Sequence, residues 1–407
     1  MKLAKLSLAA MMVAGLASSS FAADTLADAF KNGKVNGAVQ GYYWTKDTGN
    51  TTAEIFTTGL DLSYETAKLY GFAFKGTFQS SSSPFINQDG RDNYGDMHGS
   101  GAVLSEAYLS YTLGKTTALV GRMYLDTPLV ASSGSRMTKQ SFEGAAIINT
   151  DLPDTTLIAG YVQKFQDRTD GDGNIGKFKR EFGTGSGVAN DLHPEIEDGA
   201  FTVAAINKSI TGLTLTAAYV QANDLKDIMD RLSIAYAEAD YKGKAGSFSY
   251  GLAAQYYDND FGGNDTTYDA NNLWATKLSL GYDAFGAYVA YSKVNDKTNG
   301  LGVVSGLGGG ADLAYTGSPI MSSSYENDTE AYKVGATYAI MKNANVGVSY
   351  TVNDIDSADY EAAFAAIEAD YAFEGALNGL NTALIFEDGS KDASGKNAMR
   401  LNVNYKF

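Results

Sequence analysis

Over most of its length the chain alternates apolar and polar residues. Leu60, Leu62 and Tyr64 alternate with Asp61, Ser63 and Glu65. The stretch from Tyr70 to Phe78 alternates aromatics with small residues and Lys75. Phe248 to Tyr256, Tyr332 to Ile340 and Asn345 to Tyr350 repeat the pattern. A period of two marks strands with one apolar face, because successive side chains of an extended chain point to opposite sides. About eighteen strands follow from it, over residues 34–45, 55–66, 69–80, 103–113, 116–124, 141–150, 155–165, 197–207, 212–222, 228–241, 246–257, 272–282, 285–294, 329–340, 344–352, 360–373, 379–387 and 397–407. The segment 360–373 is rich in Ala and Glu and would also suit a helix. Many segments have about 9–11 residues, the length with which a tilted strand crosses a bilayer. Ahead of them, "TLADAFKNG" (Thr25 to Gly33) predicts a short helix stopped by Gly33.

The connections differ in kind. Those at 66–68, 113–116, 282–286 and 341–344 are short, whereas 81–102, 166–196 and 295–328 are long, polar and rich in Gly and Asp. Alternating long and short connections predict an all-β fold, a transmembrane antiparallel β-barrel with short periplasmic turns and long extracellular loops. An even strand number puts both termini on the periplasmic side. The chain ends on "RLNVNYKF", with Leu401, Val403, Tyr405 and Phe407 on one face. In lipid every backbone donor and acceptor must be paired, so the sheet has to close on itself. The last strand is therefore expected to pair with the first, and Phe407 to join a periplasmic aromatic girdle.

Facing follows from the same alternation, since a membrane barrel turns its apolar face to lipid and its polar face to the lumen. It predicts Lys75, Arg231, Lys277, Lys333 and Arg400 inside, with Asp61, Glu65, Glu106, Glu238 and Glu387. Arg122 can be read either way, because Leu119 and Val120 compete for the outer face. It is counted among the candidate lumen residues. A base turned to mid-bilayer lipid would cost about 2–4 kcal/mol. Aromatics fall near segment ends, with Tyr43, Trp44, Phe78, Tyr256 and Tyr350 at one rim and Tyr111, Tyr282, Phe285 and Tyr405 at the other.

Composition narrows the chemistry. There is no Cys, so disulfides and thiolates are excluded. His98 and His193 fall in predicted external loops without a nucleophile motif beside them, so no catalytic centre, metal site or cofactor is expected. A formal charge of −16 argues against nucleic acid as a partner. "DGDGNIGKFKRE" (Asp170 to Glu181) partly fits a calcium loop. Ile175 stands where such a loop needs Gly, and helical flanks are missing, so solvated loop acid is the default. "GLGGG" (Gly306 to Gly310) does not open a helix, which removes the phosphate-cradle reading. At the N-terminus, Lys2 and Lys5, the apolar run Leu6 to Ala17 and small residues at Ser20 and Ala22 form a signal-peptide pattern. Residues 1–22 are the expected leader and 23–407 the expected barrel.

One stretch goes beyond architecture. "GRMYLDTPLVASSGSRMTKQSFEGA" (Gly121 to Ala145), preceded by "LSEAYLSYTLGKTTALVGR" (Leu104 to Arg122), resembles the OprD-type family of Gram-negative outer-membrane porins. The resemblance is carried by Thr127-Pro128, the Ser-rich segment Ser132 to Arg136, and Gln140-Ser141-Phe142-Glu143-Gly144. Met137-Thr138-Lys139 departs from the family's more usual Pro-containing form. The resemblance implies an 18-stranded barrel whose third extracellular loop, about 125–140, folds into the lumen and narrows it. Arg136 and Ser133 would lie on the solute path there. It also implies a ladder of basic residues, for which Lys75, Arg122, Arg231, Lys277, Lys333 and Arg400 are the candidates, with Glu106 among them. Terminal Phe407 resembles the signal read by the barrel-assembly machinery. The expected function is passive diffusion of small hydrophilic solutes, with a preference for carboxylate-bearing anions. The setting is the outer membrane, among lipid and lipopolysaccharide. The rival reading is a barrel serving as surface adhesin or structural anchor. The sequence sets no oligomeric state.

Overall fold

The computed structural model describes residues 23–93, 99–183, 194–226, 229–262, 268–311, 314–322 and 324–407. The leader, His98 and His193 lie outside the described residues. The strands are β1 (Lys34–Asp47), β2 (Thr52–Glu65), β3 (Phe72–Ile86), β4 (Gly101–Leu113), β5 (Thr116–Met123), β6 (Ser141–Asn149), β7 (Thr155–Gln166), β8 (Phe178–Lys179), β9 (Ala200–Asn207) and β10 (Leu213–Leu225). They continue with β11 (Met229–Ala245), β12 (Phe248–Gly262), β13 (Asn271–Tyr282), β14 (Phe285–Val294), β15 (Thr329–Met341), β16 (Ala344–Ile355), β17 (Tyr360–Ala372), β18 (Leu380–Lys391) and β19 (Asn397–Lys406). All pairings between named strands are antiparallel, and β1 pairs with both β2 and β19, so the sheet closes. The two-residue β8 pairs only with the upper end of β7, while β9 continues the wall beside β7. The barrel proper therefore has eighteen strands. Each predicted segment is a strand, including the Ala-rich one, now Tyr360–Ala372. The predicted helix is Leu26–Lys31, with Thr25 accepting from the Asp28 N–H as its N-cap.

The seam runs to the end of the chain. Gly41 faces Val403 and Ala38 faces Lys406. Beyond Lys406, Gly37 N–H donates to the Phe407 carbonyl (2.9 Å) and Phe407 N–H donates back to Gly37 (3.0 Å). The outer face carries exposed Leu, Val and aromatic side chains all round. Aromatics cluster in two belts. Phe72–Tyr111 (4.5 Å between ring centres), Phe248–Tyr282 (4.8 Å) and Tyr405–Phe407 (6.2 Å) lie at the end that holds the termini. Phe201–Tyr219 (6.4 Å), Trp274–Tyr291 (5.0 Å) and Tyr291–Tyr332 (5.0 Å) lie at the other. Trp44 is not part of a belt. It is almost fully buried and points into the barrel with Tyr42.

The long connections 87–100, 124–140, 167–199 and 295–328 all leave from the end opposite the termini. The alternation is not strict, because 48–51, 356–359 and 392–396 at that same end are as short as the turns. Several strands also outrun their predicted ends. β3 continues from 80 to Ile86 through "SSSSPF", and β12 from 257 to Gly262 through "DNDFG". These extensions are polar, so the apolar alternation that marks a lipid-facing strand stops before the hydrogen-bonded ladder does.

The lumen is not uniformly polar. On β5–β7 and β10–β14 the inward residues are largely apolar and buried, among them Leu119, Ile148, Val162, Phe165, Val220, Ile234, Leu273 and Val294. They form one cluster with Leu129 and Val130 of loop 124–140 and with Val303 and Leu307 of loop 295–328. A second apolar face inside the barrel is possible because chain, not water, covers it. Where the wall is single-faced, as in β19, facing has a measurable consequence. Leu401→Arg puts a base on the lipid face and should cost about 2–4 kcal/mol near the midplane, whereas Asn402→Arg points into the lumen. Heat-modifiable gel mobility should show assembly lost in the first variant and kept in the second, and equal tolerance would contradict the assignment.

Candidate functional site: the lumen constriction

Loop 124–140 leaves β5 and turns inward. Thr127 starts the turn, with its hydroxyl accepting from Val130 N–H and donating to Val130 O (both 2.9 Å). Ser132 closes it, with its N–H donating to Leu125 O (2.7 Å) and its hydroxyl accepting from Leu125 N–H (3.1 Å). The descending limb is tied to the wall. Gln79 of β3 accepts from Lys139 N–H (2.8 Å) and donates to Lys139 O (3.0 Å), and the Tyr42 hydroxyl donates to Ser135 O (3.1 Å). Met137 is buried with Tyr42, Trp44 and Ile55.

Loop 295–328 forms the opposing jaw. Val130 and Leu307 make a parallel bridge, with Ala131 N–H donating to Leu307 O (3.0 Å) and Leu307 N–H to Leu129 O (2.8 Å). The glycine run explains the closeness. Gly306 and Gly308 have φ of 148° and 78°, and a Cβ there would stand 2.3 Å from Leu129 O and 2.4 Å from Ala131 O. "GLGGG" is thus a backbone-on-backbone contact between two loops. Gln140 ties the same junction, accepting from Gly309 N–H (2.8 Å) and donating to Asp167 (2.7 Å) of the 167–199 loop.

Farther along, loop 295–328 is anchored by charged wall residues. The Glu387 carboxylate of β18 accepts from the Ser318 hydroxyl (2.7 Å), Ile320 N–H (2.9 Å) and Met321 N–H (3.0 Å). The Lys333 ammonium of β15 donates to Gly317 O (2.6 Å). The Tyr315 hydroxyl bonds Glu238 of β11, and Thr316 meets Ser292 of β14 (2.6 Å). Buried charges normally need partners, and here backbone groups of the loop are among them.

The predicted site residues do not form one cluster. Arg136 and Arg400 come together, their guanidinium carbons 4.5 and 4.2 Å from the centre of the Trp44 ring. Arg400 is nearly covered, whereas Arg136 is half-exposed and also donates to the Ser135 hydroxyl (3.0 Å). Lys75 and Glu106 pair at 2.9 Å, with Thr77 donating to the same carboxylate (2.5 Å). Lys277 faces inward, 4.2 Å above the Tyr288 ring. Ser133 is buried inside loop 124–140, where its N–H donates to Gln140 (3.2 Å).

Arg122 and Arg231 do not reach the lumen. Arg122 shares a face with exposed Val120, because Leu119 is the residue packed inside. Arg231 follows Ala235 and Ser233 outward and pairs with Asp260 (2.5 Å), while Ile234 and Tyr236 point inward. Both misassignments have one cause: on these strands the more apolar face is the inner one.

Three further residues bear on the constriction. Trp44 supplies the ring under two guanidiniums, and Gln79 fixes the descending limb. Lys139, 4.2 Å above the Tyr124 ring, is the third. Burial holds its ammonium below the ordinary lysine range, against the pull of Glu106 and Asp126. A residue inside a loop carries no alternation signal, so Lys139 is invisible to that reading. The partial calcium loop spends its first carboxylate on its own turn, with Asp170 accepting from Asp172 N–H (2.9 Å), Asn174 N–H (3.0 Å) and the Asn174 amide (2.9 Å). Glu181 pairs with Lys179 (3.0 Å).

Known proteins agree with this architecture. The family model described as outer membrane porin, OprD family, matches residues 21–371. No curated protein matches the sequence. Among solved structures, OccAB2 of Acinetobacter baumannii superposes with a TM-score of 0.77 at 16% identity, over 93% of this chain and 99% of that one. OccK9 (OpdG) of Pseudomonas aeruginosa gives 0.79 at 13%, over 93% and 99%. OccK2 (OpdF) of Pseudomonas aeruginosa, solved in complex with glucuronate, gives 0.75 at 14%, over 93% and 98%. The closed eighteen-strand wall, the inward loops and the family match over most of the chain lead to one conclusion: this chain belongs to the OprD family of outer-membrane porins.

Proposed function

We propose that the protein is a passive, solute-selective channel that favours small hydrophilic molecules bearing a carboxylate. The observation that carries this reading is the Arg136 guanidinium, partly exposed on the loop that narrows the lumen and stacked, like Arg400, on the Trp44 ring. A narrow passage with low-dielectric walls focuses the field of a few fixed charges. A planar guanidinium fork suits a carboxylate. Loosely spaced bases such as Lys277 offer weak further sites, which a solute needs if it is to leave again. The same wall carries Asp61, Glu65 and Glu106, so a carboxylate whose other end is neutral or cationic fits better than a polyanion. The glucuronate complex of OccK2 and a vanillate complex of OpdK concern solutes of this chemistry in those relatives. Export on a cleaved leader at 1–22 and recognition of Phe407 by the assembly machinery belong to the same proposal.

Planar-bilayer recordings test it. Arg136→Ala should move the reversal potential in a salt gradient toward cations. It should also weaken current block by a small carboxylate about tenfold, the scale of one charge-assisted hydrogen bond. An unchanged current–voltage curve and unchanged block would overturn the role of Arg136. The loop anchors give a second test. Gly308→Val pushes a side chain into Ala131 O, and Glu387→Ala leaves the 318–321 turn without its acceptor. Each should raise single-channel conductance and current noise while the barrel still shifts on heating in gels. Conductance equal to the unmodified protein in both would mean that the two loops do not set the constriction.

A further inference from the structure

In a chain of formal charge −16, bases gather on one sector of the outer wall. Arg122, Glu143 and Lys164 form a row across β5, β6 and β7, Arg122 opposite Glu143 and Glu143 opposite Lys164. The row is on the lipid side, since Glu143 shares its face with Ala145 and exposed Ile147, and Arg122 shares its face with exposed Val120. Glu143 is bracketed by Arg122 Nε (3.0 Å) and Lys164 Nζ (2.8 Å), yet the two bases remain 36% and 39% exposed. Arg122 also lies 4.3 Å over the Phe178 ring. Phe178 belongs to the run Lys177-Phe178-Lys179-Arg180, which β8 hydrogen-bonds to the top of β7, and its three bases are exposed. Five bases thus stand with Glu143 and Glu181 and, toward the top of β9, with Glu195 opposite Glu181, Glu197, whose carbonyl accepts from Arg180 (2.9 Å), and Asp198, whose carbonyl accepts from the Tyr161 hydroxyl (2.9 Å). In two other sectors of the same rim acids outnumber bases: Arg231 stands with Asp258 and Asp260, and Lys293 with Glu330 and Asp354.

We propose that this sector binds the phosphorylated headgroup of an outer-leaflet glycolipid. Height supports it. Within the ladder the row lies just above the Ala145–Tyr161 pair, and exposed Tyr161 and Phe201 belong to the aromatic belt that marks the headgroup boundary. Chemistry supports it too. An arginine fork and neighbouring ammonium groups are donors to phosphate oxygens. The wall below, with Val120, Ile147 and Leu157, is an apolar bed for the acyl chains of the same molecule. Glu143 then holds the two wall bases in register while competing with the phosphate for them.

The test is a binding titration of the full-length protein in neutral detergent, read by native mass spectrometry. The probes are a bis-phosphorylated lipid A-type glycolipid, its dephosphorylated form and inorganic phosphate. The phosphorylated glycolipid should bind, the dephosphorylated form should bind far less, and millimolar inorganic phosphate should not displace the lipid. A base beside an anionic surface is worth about fivefold, so Arg122→Gln/Lys164→Gln should weaken binding well over tenfold. Glu143→Gln should strengthen it, whereas a merely structural ion-pair row predicts no gain. Should the wall variant fail to assemble, Lys177→Gln/Lys179→Gln/Arg180→Gln leaves the strands intact and should weaken binding as well. Binding unchanged in both multiple variants, equal binding of the dephosphorylated lipid, or full competition by inorganic phosphate would each overturn the proposal. Channel conductance in these variants should stay at its starting value, so failure here leaves the pore reading standing.

Discussion

The whole structure depends on one requirement: a strand in lipid has no water to satisfy its backbone, so the sheet must close without an edge. The β1–β19 seam meets that requirement, down to the reciprocal bonds between Gly37 and Phe407. Closure with eighteen strands has a cost in openness. Barrel diameter grows with strand number, and a barrel of this order is too wide for wall side chains alone to fill. Selectivity then has to come from chain that is not part of the wall. That is why loops 124–140 and 295–328 turn inward and why their packing, not the wall's, defines the site.

A loop inside a barrel faces the problem that a strand in lipid faces, because its backbone groups leave bulk water. Here they are satisfied in two ways. Loop meets loop through Val130–Leu307 and the glycine run, which lets carbonyls approach where a Cβ would not fit. Loop meets wall through Gln79, Lys333 and Glu387, whose side chains bond main-chain groups. Charged residues that alternation places on a lumen wall are therefore of two sorts. Lys333 and Glu387 hold the jaw in place, whereas Lys277 and Arg400 lie over the rings of Tyr288 and Trp44 in the wall itself.

Much of the fold was legible because single-faced strands write their facing into the sequence. β2, β15 and β19 alternate cleanly, and parity alone puts their residues Asp61, Lys333 and Arg400 on the inner face. The reading failed where a strand is apolar on both sides. Leu119–Val120, Ile147–Ile148 and Leu157–Ile158 put an apolar residue on each face, because the inner one packs on loop residues instead of water. Such strands carry no parity signal, and Arg122 and Arg231 went astray on strands whose inner face is of this kind. The constriction was visible only through the family-like motif Gly121 to Ala145. Lys139 and the inward course of 295–328 were not visible, since long-range loop contacts leave no local period. The glycine run was the one available trace.

The charges obey a geometric rule that net charge conceals. A guanidinium toward mid-bilayer lipid is costly, but the same group is tolerated one ladder step above the aromatic belt, where headgroups and water begin. Arg122 occupies that height and Arg231 stands higher on its strand, each with a carboxylate in reach. Arg136 and Arg400 instead both lie over the Trp44 ring inside the barrel, where a fixed aromatic replaces part of the hydration that burial removes. Stacking restricts the long side chain of Arg136 to one place, so the Trp44 ring sets where that guanidinium stands in the narrowed lumen.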